Sequence, residues 1–125
     1  RLVKILDGEE TVSVPQNVTM IDSYAFQNCD SLQSISIPIM TTYIGTNALA
    51  DCNNLTSINL AGCTSLGNFY AHTNKWVELD FSECTNIGSI NIKDTPTIEK
   101  ITLPAGKNPS IINYENCGTP TISYK

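Results

Sequence analysis

The 125-residue sequence carries little charge, since 15% of its residues are charged against about 25% in an ordinary soluble domain. Acidic residues outnumber basic ones by 12 to 7, and no run of lysine or arginine occurs. A nucleic-acid backbone or an anionic lipid surface attracts basic patches, so we expect neither as a partner. No apolar run approaches the ~18 residues of a membrane span, and we therefore expect no membrane insertion in this segment.

Catalytic and metal-binding motifs are also missing. A serine or cysteine nucleophile needs a histidine within reach and a third group that orients it. The single histidine, His72, stands outside any such motif, and neither a G-x-S-x-G turn nor a phosphate-binding glycine loop occurs. The five cysteines include no C-x-x-C pair, which disfavours a zinc site. The sequence thus indicates a protein that is not an enzyme and uses no cofactor.

An internal repeat with a period of about 23 residues, a length typical of solenoid proteins, runs through the first half of the chain. Met20–Cys29 aligns with Tyr43–Cys52, because an isoleucine, an alanine, a large apolar residue and a cysteine recur at the same offset. The next segment, Leu32–Ile37, aligns with Leu55–Leu60 at the same shift. A repeat of this kind is one structural unit that buries its apolar face only by stacking on its neighbours. The first half therefore predicts a solenoid.

Shorter phrases continue the repeat after Leu60. Apolar residues spaced by three and then two positions recur every ~10–11 residues, and two such steps nearly restore the first period. Within each phrase a polar or small residue separates two apolar ones, which indicates a strand with one buried face. Trp76 begins one phrase, and we expect it in the core. The strong phrases are Leu66-Phe69-Ala71, Trp76-Leu79-Phe81, Ile87-Ile90-Ile92 and Ile98-Ile101-Leu103, and weaker copies end at Tyr114 and Tyr124.

These spacings predict one mainly β domain with little helix: a right-handed, flattened coil of about 21–23 residues per turn with two faces of short strands. One face would be a single sheet of residues 12–14, 35–37, 58–60, 79–81, 101–103 and 122–124. The second would collect residues 69–71, 90–92 and 112–114. In the first two coils the second face would hold Ile21–Phe26 and Ile44–Leu49, each as a strand residue followed by one helical turn.

We divide the single domain, residues 1–125, into three parts. Residues 1–14 would form an N-terminal cap or hairpin, with Asp7-Gly8 as its turn. Residues 15–60 hold two full-length repeats, and residues 61–125 hold the shorter phrases of ~10–11 residues.

The cysteines follow the repeat. Each of four precedes a core leucine or isoleucine by three residues, which places them at equivalent corners of successive coils, and a fifth lies in a weaker repeat. In-register parallel neighbours do not give the Cβ directions that a disulfide needs. We therefore expect free, buried thiols that fill the corners, with a disulfide or a metal site as the alternative. The five are Cys29, Cys52, Cys63, Cys84 and Cys117.

The full-length repeats resemble the bacterial-surface-antigen (BspA-like) class of leucine-rich repeats, whose pattern is I-G-x-x-A-F-x-x-C-x-x-L-x-x-I-x-I-P. Copies run from Ile21 to Pro38 and from Ile44 to Leu60, with Asp22, Leu49 and Ala61 as departures for Gly, Phe and Pro. Leu66 to Trp76 also fits the general leucine-rich form, with Asn74 at its ladder position. The resemblance implies an exported or cell-surface protein that adheres to host proteins or to other cells, although no export signal is recognisable in this segment. That role is an analogy, since a fold does not fix a function.

Outward positions of the predicted strands supply a candidate binding face. An exposed tyrosine among asparagine and serine side chains is typical of surfaces that bind protein or sugar, although a solitary exposed aromatic is also well tolerated. Glu78 and Asp80 share one strand face, and Lys100 opposite Glu78 favours a surface ion pair over a Ca²⁺ or acid–base site. We expect His72 to be an exposed turn residue. The candidates are Tyr70, His72, Asn91, Asn59, Asp80 and Glu78.

The sequence therefore predicts a non-catalytic, cell-surface or secreted repeat module for protein or adhesive binding, with a protein or a glycan as its ligand. The alternative is a structural spacer, or a fragment of a larger surface protein, with no binding role of its own. The last apolar phrase ends one residue before Lys125. It leaves an open sheet edge for end-to-end self-association.

Overall fold

The computed structural model describes residues 8–125, and these form eleven short β-strands with one 3-10 helix at Pro109–Ile111. The prediction of a mainly β chain with little helix is confirmed. The hairpin predicted for residues 1–14 lies largely outside the described residues. The strands are β1 (Thr11–Ser13), β2 (Met20–Ile21), β3 (Ser34–Ser36), β4 (Tyr43–Ile44), β5 (Ser57–Asn59), β6 (Asn68–His72), β7 (Glu78–Asp80), β8 (Ser89–Lys93), β9 (Lys100–Leu103), β10 (Ile112–Glu115) and β11 (Thr121–Tyr124).

Successive coils stack through parallel strand pairing, at the offsets that the sequence predicted. On one face Ile35 of β3 pairs with Val12 of β1 and with Ile58 of β5, each of which lies one repeat period away along the chain. On the other face β8 lies between β6 and β10, and β9 lies between β7 and β11 on the first face. Parallel pairing at a constant offset defines a solenoid of about five turns.

The first face is two sheets, and the prediction of one continuous sheet is wrong. β1, β3 and β5 form one sheet and β7, β9 and β11 form another, while on the second face β2 pairs with β4 apart from β6, β8 and β10. Both faces break between the second and third coils, where the step from Leu60 to Phe81 is shorter than the preceding step from Ile37 to Leu60. Trp76 stands there at the position held by Leu55 one coil earlier. We attribute the break to this shorter coil and its larger core residue.

The helical turns predicted after β2 and β4 are also absent. In the first of these segments the Ala25 amide donates to the Asp22 carbonyl oxygen at 3.1 Å, and the Gln27 amide donates to Tyr24 at 3.2 Å. These are successive tight turns. Tyr24 has a φ of 69°, and Asn47 at the equivalent position has a φ of 66°. Positive φ values are incompatible with a right-handed helical turn, so the chain crosses this face as a series of turns.

The core is continuous along the stack and joins the two faces. The rings of Phe69 and Phe81 meet edge to face, with centroids 5.1 Å apart. Trp76 is fully buried, as predicted. Asn74 is buried too, and its Nδ2 donates to the Leu49 carbonyl oxygen of the preceding coil at 2.7 Å. The side chain of Asn74, at the ladder position of the repeat, thus links two neighbouring coils by a hydrogen bond. Ile58, expected in the core, is only partly buried because its strand borders the break.

All five cysteines are free, and four of them are buried. The thiols of Cys52, Cys63, Cys84 and Cys117 lie against carbonyl oxygens of the preceding coil. Cys52 Sγ is 3.0 Å from Phe26 O, and Cys63 Sγ is 3.5 Å from Ile37 O. Burial raises the pKa of the Cys52 and Cys84 thiols to about 12. The corner packing therefore keeps these thiols protonated and unreactive at neutral pH.

Thiol labelling should follow this burial. In the native protein at mildly alkaline pH, we expect rapid reaction of one thiol, that of Cys117, which is the only cysteine that is not fully buried. All five should react after denaturation in urea. Mass spectrometry of the labelled peptides locates the site. Rapid native labelling of Cys52 or Cys84 would contradict the corner packing.

Candidate functional site

The six candidate residues occupy two separate surfaces. Tyr70, His72 and Asn91 lie together on the sheet of β6, β8 and β10. Asn59, Glu78 and Asp80 lie on the other face, beside the break between β5 and β7. Each surface has its own geometry.

The first surface is a groove of about 390 Å³, here called the Tyr70 groove. Strand register builds its floor, because Tyr70, Asn91 and Asn113 are cross-strand partners in one row. A second row two residues further along consists of His72, Lys93 and Glu115. A tyrosine with two neutral amides thus lies beside a charged row. The lining residues are Thr46, Asn47, Tyr70, His72, Asn91, Ile92, Lys93, Asn113, Tyr114 and Glu115.

His72 differs from its prediction as an exposed turn residue. It is the last residue of β6, and its side chain is 33% exposed. Nδ1 lies 2.7 Å from Asn47 Oδ1, and Nδ1 is the donor because an amide oxygen only accepts. Nε2 lies 3.6 Å from Asp94 Oδ2. Asp94 in turn accepts a hydrogen bond from Asn116 Nδ2 at 3.0 Å. The imidazole is therefore one member of a polar ladder that crosses neighbouring coils and fixes the groove wall.

This ladder does not provide the pairing that nucleophilic catalysis requires. A catalytic base must face the hydroxyl or thiol that it deprotonates. Nδ1 of His72 instead faces the amide oxygen of Asn47. Within residues 8–125, no group of three or more His, Cys, Asp or Glu side chains is arranged to hold a metal ion. Over the same range, no helix is long and apolar enough to cross a membrane.

Several residues that line the Tyr70 groove were not predicted from the sequence. Asn113 and Glu115 could have been found, because they follow Asn91 and Lys93 by the same step of one coil. Asn47 could not, because it lies in a turn between β4 and β5 whose path no strand periodicity describes. Tyr114 occupies an inward position, in register with buried Ile92, but it is 46% exposed.

The second surface is the β5/β7 cleft, made of two adjacent cavities of about 410 and 220 Å³ that share Ile58 and Asp80. The Asn59 Oδ1 atom accepts a hydrogen bond from the Ala61 amide at 3.0 Å, and Asp80 Oδ1 accepts one from the Ser82 amide at 2.9 Å. These two side chains therefore cap equivalent turns of successive coils.

The predicted ion pair between Glu78 and Lys100 is not formed. The two residues are cross-strand partners, as expected. In the described part of the chain, however, the oppositely charged side chains within 4.0 Å are Lys93 and Glu115 and, when the imidazole is protonated, His72 and Asp94. Burial opposes ionisation of Asp80, yet hydrogen bonds from Ser82 and the charges of Lys125 and Lys100 hold the pKa of Asp80 below its ordinary value. Asp80 is therefore charged at neutral pH, and no cation of residues 8–125 lies within 4.0 Å of the Glu78 carboxylate.

The fold and its corner residues define a leucine-rich-repeat solenoid. More particularly, the chain belongs to the BspA-type leucine-rich repeat family, whose model matches residues 8–118 in six copies. This confirms the resemblance drawn from the repeats. A comparison with curated proteins gives no significant match. Among solved structures, the chain is similar to a leucine-rich cell surface protein from Faecalibacterium prausnitzii, with 25% identity over 89% of this chain and a TM-score of 0.41. It spans 32% of that protein's chain.

Proposed function

We propose that this chain is a non-catalytic binding module of a cell-surface or secreted protein, and that the Tyr70 groove holds a protein or glycan ligand. Leucine-rich repeat modules commonly serve protein interaction, and the expectation of a surface location comes from the resemblance to exported BspA-like proteins. The observation that carries the proposal is the row of Tyr70, Asn91 and Asn113 along one groove.

The chemistry of this row suits recognition. A tyrosine offers a large and rigid contact area at a low cost in side-chain entropy, and neighbouring amides supply adaptable hydrogen bonds. The volume of about 390 Å³ falls within the range of ~300–1,000 Å³ that is typical of ligand sites, so a protein side chain or a sugar ring fits. The groove floor is a three-stranded parallel sheet, which presents these groups on a rigid support.

Tyr70→Ala tests the groove. Arrays of extracellular matrix proteins and of glycans should show at least one ligand for the wild-type protein, and we expect the variant to bind it about tenfold or more weakly, because an interface tyrosine is a frequent energetic hot spot. The matched control is Tyr24→Asn. It removes another exposed tyrosine at a positive φ that asparagine tolerates.

Circular dichroism separates a binding defect from a folding defect. Tyr70→Ala should melt within a few degrees of the wild type, since the side chain is only partly buried. Unchanged affinity for the ligand would remove the Tyr70 groove as its site. If the wild type binds nothing on either array, the structural spacer becomes the better account.

A further inference from the structure

The β5/β7 cleft interrupts a pattern of backbone hydrogen bonds that every other step of the first face keeps. The Ile37 amide donates to Asn59 O at 3.1 Å, and the Phe81 amide donates to Thr102 O at 2.8 Å. Among the described residues, no backbone hydrogen bond joins residues 56–61 to residues 77–82. Two strand edges therefore face each other across the cleft without pairing.

The backbone groups that face the cleft follow from the ladders on either side. Ser57 and Asn59 bond to β3, so the N–H and C=O of the residue between them, Ile58, point toward β7. On β7, Val77 and Phe81 bond to β9, so the backbone groups of Glu78 and Asp80 point toward β5. Unpaired strand edges of this kind accept an added strand.

The side chains along the cleft alternate between apolar and acidic. Ile58 is partly exposed, whereas its stack neighbours Ile35 and Leu79 are each 1% exposed. Glu78 and Asp80 are exposed on the outer side of β7, and they lie two residues apart. No lysine or arginine among residues 8–125 lines either cavity. A strand laid in the cleft would therefore meet an apolar position between two acidic ones.

We propose that the β5/β7 cleft binds an extended peptide that carries basic residues at alternate positions, with a small apolar residue between them. Its backbone would pair with the free edges of β5 and β7, and its basic side chains would neutralise Glu78 and Asp80. Cross-strand partners lie ~5 Å apart on the same face of a sheet, which brings opposite charges together.

A second copy of this chain does not supply such a strand. Its basic residues are Arg1, Lys4, Lys75, Lys93, Lys100, Lys107 and Lys125, and no two of them are separated by two positions. The formal net charge of −5 also disfavours approach of one copy to another. These 125 residues therefore do not supply the occupant, which we take to be a segment of a different, basic protein. This surface shares no residue with the Tyr70 groove, so each proposal stands or fails alone.

The test uses a short capped peptide of alternating lysine and valine, with a glutamate–valine peptide as its counterpart. Fluorescence of the single tryptophan, Trp76, reports on binding, because the next residue, Val77, lines the cleft. Amide hydrogen exchange reports on strand pairing. We expect the lysine peptide alone to bind, to slow exchange at Ile58 and Glu78, and to weaken as salt screens the carboxylates.

The matched variants isolate the charges. In Glu78→Gln/Asp80→Asn both carboxylates are lost, while the turn cap at position 80 is kept, as Asn59 shows one coil earlier. We expect this variant to bind the lysine peptide about tenfold more weakly. Glu9→Gln/Glu10→Gln, with the same change in net charge at exposed positions of the described chain, should bind as the wild type does, and so should Tyr70→Ala. If both double variants bound the lysine peptide with equal affinity, the proposal would be overturned. Slow hydrogen exchange of the Ile58 amide in the free protein would also overturn it, since β5 and β7 would then already be paired.

Discussion

Replacing Trp76 with alanine is expected to lower the free energy of unfolding by about 3–5 kcal/mol, the usual cost of truncating a large buried aromatic side chain. Trp76 is fully buried and is the largest such side chain among the described residues. It fills the core where the coil length changes, so neighbouring residues of either repeat type cannot collapse into the space without shifting their strands. Urea unfolding followed by far-ultraviolet circular dichroism measures the change, because the variant lacks tryptophan fluorescence.

Trp76→Phe is the control for this prediction. The indole Nε1 is buried without a hydrogen-bond partner, and a buried donor left unsatisfied costs about 1–3 kcal/mol. Phenylalanine keeps most of the apolar volume and removes that donor, so it should cost far less than alanine. A loss below about 1 kcal/mol in Trp76→Ala would show that this corner is not packed as described.

Gly45→Ala should destabilise the protein by about 2–3 kcal/mol or more, in the range of an overpacked core. A Cβ at this position would overlap the backbone nitrogen of Ser23 and would lie 2.6 Å from its Cα. Both atoms belong to the preceding coil, so the coils must move apart, and the 2.8 Å hydrogen bond from the Gly45 amide to Ile21 O would weaken. Thermal melting measures the effect, since ~1 kcal/mol moves the midpoint by several degrees.

Gly67→Ala is the matched comparison. A Cβ there meets nothing within 4 Å, so we expect alanine to be neutral, or to stabilise by up to about 1 kcal/mol through the unfolded chain. Equal melting temperatures of the two variants would contradict the close approach of coils at Gly45.

The close approach of Gly45 to Ser23 also explains a departure from the repeat pattern. Asp22 replaces this glycine one coil earlier, where no strand of the described residues precedes β2 in its sheet.

The stacking register could be predicted from the sequence because it depends on offsets alone. The period of the full-length repeats placed Val12, Ile35 and Ile58 side by side, and the shorter phrases did the same for Phe69 and Ile90. Apolar residues at a fixed period have one efficient arrangement, in which each coil covers the core of the last. The corner cysteines followed from the same periodicity.

The break between β5 and β7 could not be predicted, because each strand taken alone has the pattern of its neighbours. We attribute it to the fit of two coils of unequal length around Trp76, which the pattern of a single strand does not describe. The turns after β2 and β4 are different, since the sequence did hold a signal. Asn28, Asn47 and Asp51 have positive φ values, and asparagine and aspartate are the non-glycine residues that favour such turns.

The candidate site likewise has features that the sequence predicts and features that it does not. Tyr70 and Asn91 were recognised as outward positions of neighbouring strands, and the structure makes them cross-strand partners. The contact of His72 with Asn47 could not be predicted from the sequence, because it joins a strand to a turn of another coil. Outward residues of a solenoid vary without disturbing the core, so the Tyr70 groove and the β5/β7 cleft are where specificity of this module would reside.

The central claim is that residues one coil apart, and not one phrase apart, lie side by side in parallel strands. Backbone proton–proton NOEs in isotope-labelled protein test it directly. The fold predicts contacts in the parallel pattern that join Ile90 to Phe69 and to Ile112, which lie one coil before it and one coil after it. Antiparallel contacts of the Ile90 strand with residues 79–81 or 101–103 would contradict it, since consecutive phrases would then form hairpins and no solenoid.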